Sequence, residues 1–282
     1  MTTYQKSKIL DNLTLGKTTS YISQYTPELL QAVPRSLNRD DLAINQASLP
    51  FKGEDIWYGY ELSWLNPKGK PVVAVAEFRF PCSSPNLVES KSFKLYLNSF
   101  NQQRFDNTLA VETALIKDLS TTAGSTAKVK LFSTDNCPPL NLSSSTALCI
   151  DELDIEIDDY QYQPKLLINA QDKSLIVEEY LVSHLLKSNC LITNQPDWAS
   201  LYIEYSGAKI NPEQLLKYII SFRQHNEFHE QCVERIFCDL QAHCQLESLS
   251  VFARYTRRGG LDINPFRTTQ DKVPPYLRTL RQ

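Results

Sequence analysis

The chain has 282 residues and a mass of 32.3 kDa, room for one large domain or for two modules. Hydrophobic residues make up 42% and charged residues 22%, which excludes a disordered chain and supplies a core that needs no covalent staples. A formal net charge of -3 argues against a protein built mainly to grip nucleic acid through a basic surface.

In chain order, Met1 to Gly16 alternates polar and apolar residues without the apolar core of a signal peptide. No apolar run in the sequence approaches the ~18 residues of a membrane span, and a soluble protein is expected. Residues 56–64 and 72–80 are rich in β-branched and aromatic residues. They read as two strands of a hairpin joined by the turn former Asn66-Pro67-Lys68-Gly69-Lys70. Residues 93–117 place apolar positions at helical spacing, and 127–132 return to strand character.

The second half repeats this order. Strands are expected over 174–182 and 199–205, helices from about Pro212 to Cys244, and strands over 249–255 and 261–264 around Arg257-Arg258-Gly259-Gly260, a hairpin signal. Residue matches support a duplication. Tyr96, Leu97, Ser99, Phe100, Val111 and Glu112 recur as Tyr218, Ile219, Ser221, Phe222, Val233 and Glu234, and Ala76-Glu77-Phe78-Arg79 resembles Ile203-Glu204-Tyr205-Ser206. The expected modules are residues 1–145 and 146–282. Between them lie a Pro/Ser/Asn loop, Pro138 to Ser145, and an acidic run, Asp151 to Tyr160, read as a solvated strand face and linker.

The seven cysteines, Cys82, Cys137, Cys149, Cys190, Cys232, Cys238 and Cys244, are odd in number and show no Cys-x-x-Cys spacing. This counts against a disulfide framework and an ordinary zinc site, and it points to a reducing, cytoplasmic compartment. Cys190 stands in a loop-like stretch, Ser188 to Trp198. There a thiol is either a small core hydrophobe or a nucleophile, with Asp197 as proton-transfer partner if a turn at Pro196 folds it back.

In Asn226-Glu227-Phe228-His229-Glu230, Asn226 is placed to cap a helix whose first turn holds His229 and Glu230. Glu230 is there either a dipole-compensating carboxylate or an acceptor for the paired N–H donors of a guanine-like edge. Glu89-Ser90-Lys91-Ser92 opens a helix and offers hydroxyls, a lysine and free N–H groups, either a solvated cap or a phosphate cradle. Arg254, Arg257 and Arg258 form the densest basic patch, suited to a phosphorylated ligand or merely to solvation of a turn.

Together these segments carry a resemblance. Glu89-Ser90-Lys91-Ser92-Phe93-Lys94-Leu95-Tyr96 resembles the signature of the NADPH-dependent 7-cyano-7-deazaguanine reductases, nitrile reductases of queuosine biosynthesis, in which it marks the cofactor site. Ser188-Asn189-Cys190 through Gln195-Pro196-Asp197-Trp198 is similar to the family's catalytic loop, and Phe228-His229-Glu230 to its substrate anchor.

The resemblance covers nearly the whole chain and is to the long subfamily. It implies an α+β protein of two tandem tunnelling-fold modules, antiparallel sheets with helices on one face, and a homodimer. It implies Cys190, Asp197 and His229 as catalytic, and Val88, Glu89, Ser90, Phe228, His229 and Glu230 as substrate-binding. Ser90, Lys91, Arg258 and Gly259 are implied for NADPH, consumed twice per product, with no metal and no direct contact to nucleic acid or membrane. A zinc-dependent pterin or GTP cyclohydrolase of the same fold and a non-catalytic purine-binding or tRNA-associated module are the competing expectations.

Overall fold

In the computed structural model, residues 21–282 are described; the expectation for Met1 to Gly16 falls on the part of the chain that is not. The strands are β1 (Ala32–Pro34), β2 (Lys52–Leu65), β3 (Pro71–Pro81), β4 (Asn86–Val88), β5 (Lys128–Phe132), β6 (Leu148–Cys149), β7 (Gln171–Asn189), β8 (Pro196–Ile210), β9 (Leu246–Tyr255) and β10 (Leu261–Thr268). The main helices are α1 (Ser90–Asn98), α2 (Thr108–Ala123), α3 (Pro212–Ser221) and α4 (His229–His243). The class is α+β with antiparallel sheets, as expected, and the short β6 pairs in parallel with β7.

The chain forms two compact units. Of the described residues, unit 1 comprises 21–48, Glu54–Asn141 and Arg257–Asp262, and unit 2 comprises Leu49–Gly53, Leu142–Thr256 and Ile263–Gln282.

In unit 1 the strands run β5-β3-β2. Trp57 and Phe78 face each other across β2 and β3, and both rings, with Phe80, pack on Phe93 of α1 at centroid distances of 4.9 to 6.4 Å. One sheet face is thereby closed by a helix, because alternate strand residues share a face while Phe93, Tyr96, Leu97 and Phe100 share a helical stripe. In unit 2 the order is β10-β9-β8-β7-β6, and the buried stripe of α3 is Leu215, Leu216, Tyr218 and Ile219. Gly53 of this unit has φ +135°, and a Cβ there would stand 2.0 Å from the Phe266 carbonyl oxygen. Phe51 packs its ring against Phe237 at 5.4 Å.

The duplication is visible in matching hydrogen bonds. The Tyr96 hydroxyl donates to Asp118 at 2.7 Å and Tyr218 to Asp239 at 2.5 Å. A second tyrosine joins each carboxylate, Tyr25 in unit 1 and Tyr162 in unit 2. Burial, with these carboxylates adding to it, pushes the Tyr96 and Tyr218 phenols above their ordinary range. Tyr25 and Tyr162 open the same short motif, Tyr-x-Pro-x-Leu-Leu.

The sequence matches need correction in register. The Asp118 and Asp239 pairing shifts the second helix by 121, so Val111 corresponds to Cys232 and not to Val233. The strand pairs Leu62 with Ala74 and Leu186 with Ala199 shift the first strand of the hairpin by 124 and the second, which leads to the helix, by 125. The strand-to-helix connector is therefore three residues longer in unit 1, where it includes β4, and not five.

Candidate active site

Strand β7 runs seven residues past the expected end at Val182. Its register on β8 slips between Ser183 and Leu186, a bulge that breaks the apolar alternation and hides the strand from a pattern search. The reversal is not at Pro196, as expected, but over residues 190–195, so that Asn189 pairs with Pro196 and Ser188 with Asp197. Cys190 closes the turn: its N–H donates to the Gln195 carbonyl at 2.8 Å and its carbonyl accepts from the Asn194 N–H at 3.1 Å. Asn194 has φ 55°, a left-handed conformation that asparagine tolerates better than most residues. Cys190 is buried, and Asp197 sits one pair below the tip, also buried.

Asn226 does not cap α4, the role expected of it. The cap position belongs to Phe228, which makes no side-chain cap bond. The Asn226 amide instead donates to the Cys190 carbonyl at 3.3 Å and to the Asn194 side chain. Its backbone bridges Asn189, so the segment before α4 is stitched to the Cys190 turn. Beneath it, the buried carboxylate of Glu227 accepts from Arg235 at 2.7 and 3.1 Å and lies 3.1 Å from the His225 ring. Burial opposes ionisation of Glu227, but Arg235 and His225 outweigh it and hold its pKa below the ordinary glutamate value.

His229 and Glu230 occupy the first turn of α4, as expected. The His229 Nε2 is 3.5 Å from the Asp197 carboxylate, and its ring meets that of buried Tyr255 edge-on at 4.1 Å. Glu230 is 3% exposed. Cys232, two residues on, is fully buried, and desolvation together with Glu227 pushes its thiol up to about 12. That thiol is held protonated near neutral pH and is unsuited to nucleophilic attack. Sequence reasoning gave no part to Glu227, Arg235 or Tyr255. Glu227 and Arg235 are eight residues apart, a spacing with no helical or strand logic, since one of them precedes the helix.

In unit 1, Glu89 caps α1, its two carboxylate oxygens accepting the N–H groups of Lys91 and Ser92 at 2.7 Å each. Val88 ends β4 just before it and is buried. The tight turn at Gly259 and Gly260, with φ 59° and 76°, has the signs of a type I′ hairpin turn. Arg258 pairs with Leu261 across it. A Cβ at Gly259 would stand 3.1 Å from the Lys94 side chain, so the turn lies against α1 one turn beyond Ser90 and Lys91. Lysines 91 and 94 and arginines 257 and 258 thus belong to one region of unit 1, a donor set suited to a phosphorylated ligand, and the missing side chain at Gly259 leaves backbone access beside it. Arg254 is not part of that group: it is buried and donates to Gln282 at 2.7 Å. Arg257 lies over the Tyr60 ring at 3.9 Å.

The fold and this site define a class, a duplicated α+β enzyme presenting a thiol at a hairpin tip with a carboxylate and an imidazole close by. Residues 21–131 match the family described as "Nitrile reductase, 7-cyano-7-deazaguanine-reductase N-term", and residues 196–274 match "QueF-like protein". The chain is 68% identical over 286 residues to the NADPH-dependent 7-cyano-7-deazaguanine reductase of Colwellia psychrerythraea, covering 100% of both chains. It is 58% identical over 269 residues to the enzyme of that name from Dechloromonas aromatica, covering 95% of this chain and 94% of the relative. The chain belongs to the family of NADPH-dependent 7-cyano-7-deazaguanine reductases. Among the described residues no helix is long and apolar enough to cross a membrane.

Proposed function

We propose that this protein reduces the nitrile of 7-cyano-7-deazaguanine to the aminomethyl group, with Cys190 as nucleophile, in queuosine biosynthesis. The observation that carries the reading is the hairpin tip, where buried Cys190 is fixed by three backbone and amide contacts while Asp197 and His229 stand 3.5 Å apart one strand pair below.

A nitrile carbon is a modest electrophile. Addition of the Cys190 sulfur to it forms a C–S bond, and the nitrogen takes up one proton, delivered by Asp197, to give a covalent thioimidate. His229, held by Asp197 and Tyr255, positions the substrate and handles protons. Glu230 accepts from the guanine-like edge, and Phe228 presents a ring for stacking. Two hydrides, which NADPH would supply, are then needed, one at the thioimidate carbon and one at the imine left when the C–S bond breaks and Cys190 departs as thiolate, and the amine nitrogen takes a second proton by way of His229. The four electrons account for the change from C≡N to CH2–NH2.

Ser90, Lys91, Arg258 and Gly259 are assigned to NADPH, and Val88, Glu89 and Ser90, in unit 1, to the substrate. The chain acts as a homodimer in the cytoplasm, without direct contact to nucleic acid. The test is oxidation of NADPH on addition of 7-cyano-7-deazaguanine, with two equivalents consumed per aminomethyl product. A ratio of one, or no oxidation, overturns the reading, and a requirement for added zinc supports a cyclohydrolase instead.

A further inference from the structure

A second cluster of reactive side chains lies in unit 2, where the linker joins the sheet. The two residues of β6 pair in parallel with Leu181 and Val182 of β7, just before the bulge at Ser183 to Leu186. Asp151 fastens onto that bulge, one carboxylate oxygen accepting the Ser183 hydroxyl at 2.6 Å and the other the His184 N–H at 2.8 Å. The acidic run that follows is linker and carries no strand. In consequence the Cys149 sulfur, an Asp151 oxygen and a His184 ring nitrogen all lie within 4.8 Å of one another. Cys149 and His184 are exposed. The His184 Nδ1 is 2.8 Å from the hydroxyl of Ser200, a buried residue. That contact orients the ring, and with Nδ1–H donating to Ser200 the Nε2 nitrogen would be the one to coordinate, the usual support of a metal-bound histidine.

A thiolate, an imidazole and a carboxylate are the donors zinc(II) prefers, whereas magnesium and calcium take oxygen alone. Proteins use the same three donor types with water as a fourth ligand. None of the three residues serves the proposed reduction. We propose that Cys149, Asp151 and His184 form a zinc(II) site, completed by water, which clips the linker to the β7 bulge. Donors around a tetrahedral zinc ion are separated by about 3.3 to 3.8 Å, so the exposed Cys149 and His184 side chains close in by about an ångström on binding. The thiol proton is released to buffer as the Zn–S bond forms, and no redox change occurs.

The test uses the full chain with Cys190→Ala, which removes the thiol of the proposed active site, and Co2+ as a spectroscopic probe. One equivalent of Co2+ should give a thiolate-to-metal charge-transfer band, abolished by Zn2+. Adding Cys149→Ser should remove the band, and Ser200→Ala should weaken Co2+ binding by about 10- to 100-fold. In the unsubstituted chain, Zn2+ should also protect Cys149 from alkylation while leaving Cys137 and Cys238 reactive. The single substitutions Cys149→Ser and His184→Ala should leave NADPH turnover unchanged. No band with Co2+, a band that survives Cys149→Ser, or unprotected Cys149 in excess Zn2+ would overturn the site.

Discussion

The two units are copies that, on the proposed reading, divide the chemistry between them. At the hairpin tip of unit 2 stand Cys190 and, paired with Ser188, Asp197; the same places in unit 1 hold Asn66 and Val72, since Trp64 pairs with Val72 as Ser188 does with Asp197. Asn66 merely folds its own turn, accepting from the N–H groups of Lys68 and Lys70. Arg104 of unit 1 donates to the Pro67 carbonyl as Asn226 donates to that of Cys190. By the helix register, His229 and Glu230 correspond to Thr108 and Leu109, and where Glu230 is buried Leu109 is 68% exposed. The reverse holds at the other helix, where Glu89-Ser90-Lys91 of unit 1 corresponds by register to Asn211-Pro212-Glu213 of unit 2. Each scaffold preserves the tyrosine-to-aspartate bonds beneath α1 or α3, while the groups with chemical use differ. Packing tolerates few substitutions, whereas tips and caps are free to specialise once a duplicate exists.

The sharpest way to break the comparison is at the two tips. Mixing the protein with nitrile substrate and no NADPH should give a covalent adduct whose mass equals protein plus intact nitrile, and Cys190→Ala should abolish both adduct and turnover. Asn66→Ala should keep both. Intact-protein mass spectrometry decides, and an adduct that persists without Cys190 ends the division of labour drawn above.

Asp197→Asn keeps the size of the side chain and removes the transferable proton, so turnover should fall by ~10²-fold or more with substrate binding retained. A near-normal rate would make Asp197 no more than the equivalent of Val72.

Next come the cations of unit 1. A charge-assisted hydrogen bond contributes roughly 1.5 to 3 kcal/mol, so the variant that loses the phosphate contact, Lys91→Ala or Arg258→Ala, should bind NADPH about 10- to 150-fold more weakly. The adduct at Cys190 should still form. NADPH titrations of both variants at parental affinity would remove this region from cofactor binding.

The acid side of stability probes the support under the unit 2 tip. Because the folded pKa of Glu227 lies below its unfolded value of about 4.5, its bonds to Arg235 and His225 contribute stability that is complete above that value. The contribution is lost as pH falls through the folded pKa. Urea midpoints measured across this range should drop less steeply for Glu227→Gln than for the parent. Equal slopes would mean that the carboxylate does not ionise with the fold.

The smallest effect is expected at the paired caps. Asn211 accepts from the N–H groups of Glu213 and Gln214 and has no chemical partner role. Asn211→Ala should cost about 1 kcal/mol in urea unfolding and leave NADPH affinity as it was. A loss of affinity comparable to that of Lys91→Ala would mean that the caps are not divided in function.

Much of this was legible in the chain itself. The strands with alternating apolar residues, the turn at Asn66 to Lys70 and the glycine pair at 259–260 announced themselves because local chemistry alone dictates them. The polar far end of β7 did not, since Ser183, His184, Lys187, Ser188 and Asn189 break the period at a bulge that only a neighbouring strand can impose. Asn226 was misassigned because a cap and a loop bridge ask for the same side chain. The Tyr25 and Tyr162 motifs escaped the repeat search since they are separated by 137 positions, unlike the helices and strands. Cys149, Asp151 and His184 share no spacing motif, and it takes the parallel pairing of β6 to gather them.

Two short pieces of chain cross the boundary that a single cut after residue 145 would draw. Phe51 and Gly53 complete the unit that otherwise begins at Leu142, and Arg257–Asp262 complete the one that otherwise ends at Asn141. The halves are therefore not separable merchandise of the duplication that made them. A gene split at the linker would yield one fragment lacking the ring that packs on Phe237 and another lacking the Gly259 turn that lies against Lys94. Neither fragment would be a whole ancestor, and the two would have to be made together to recover the folded units.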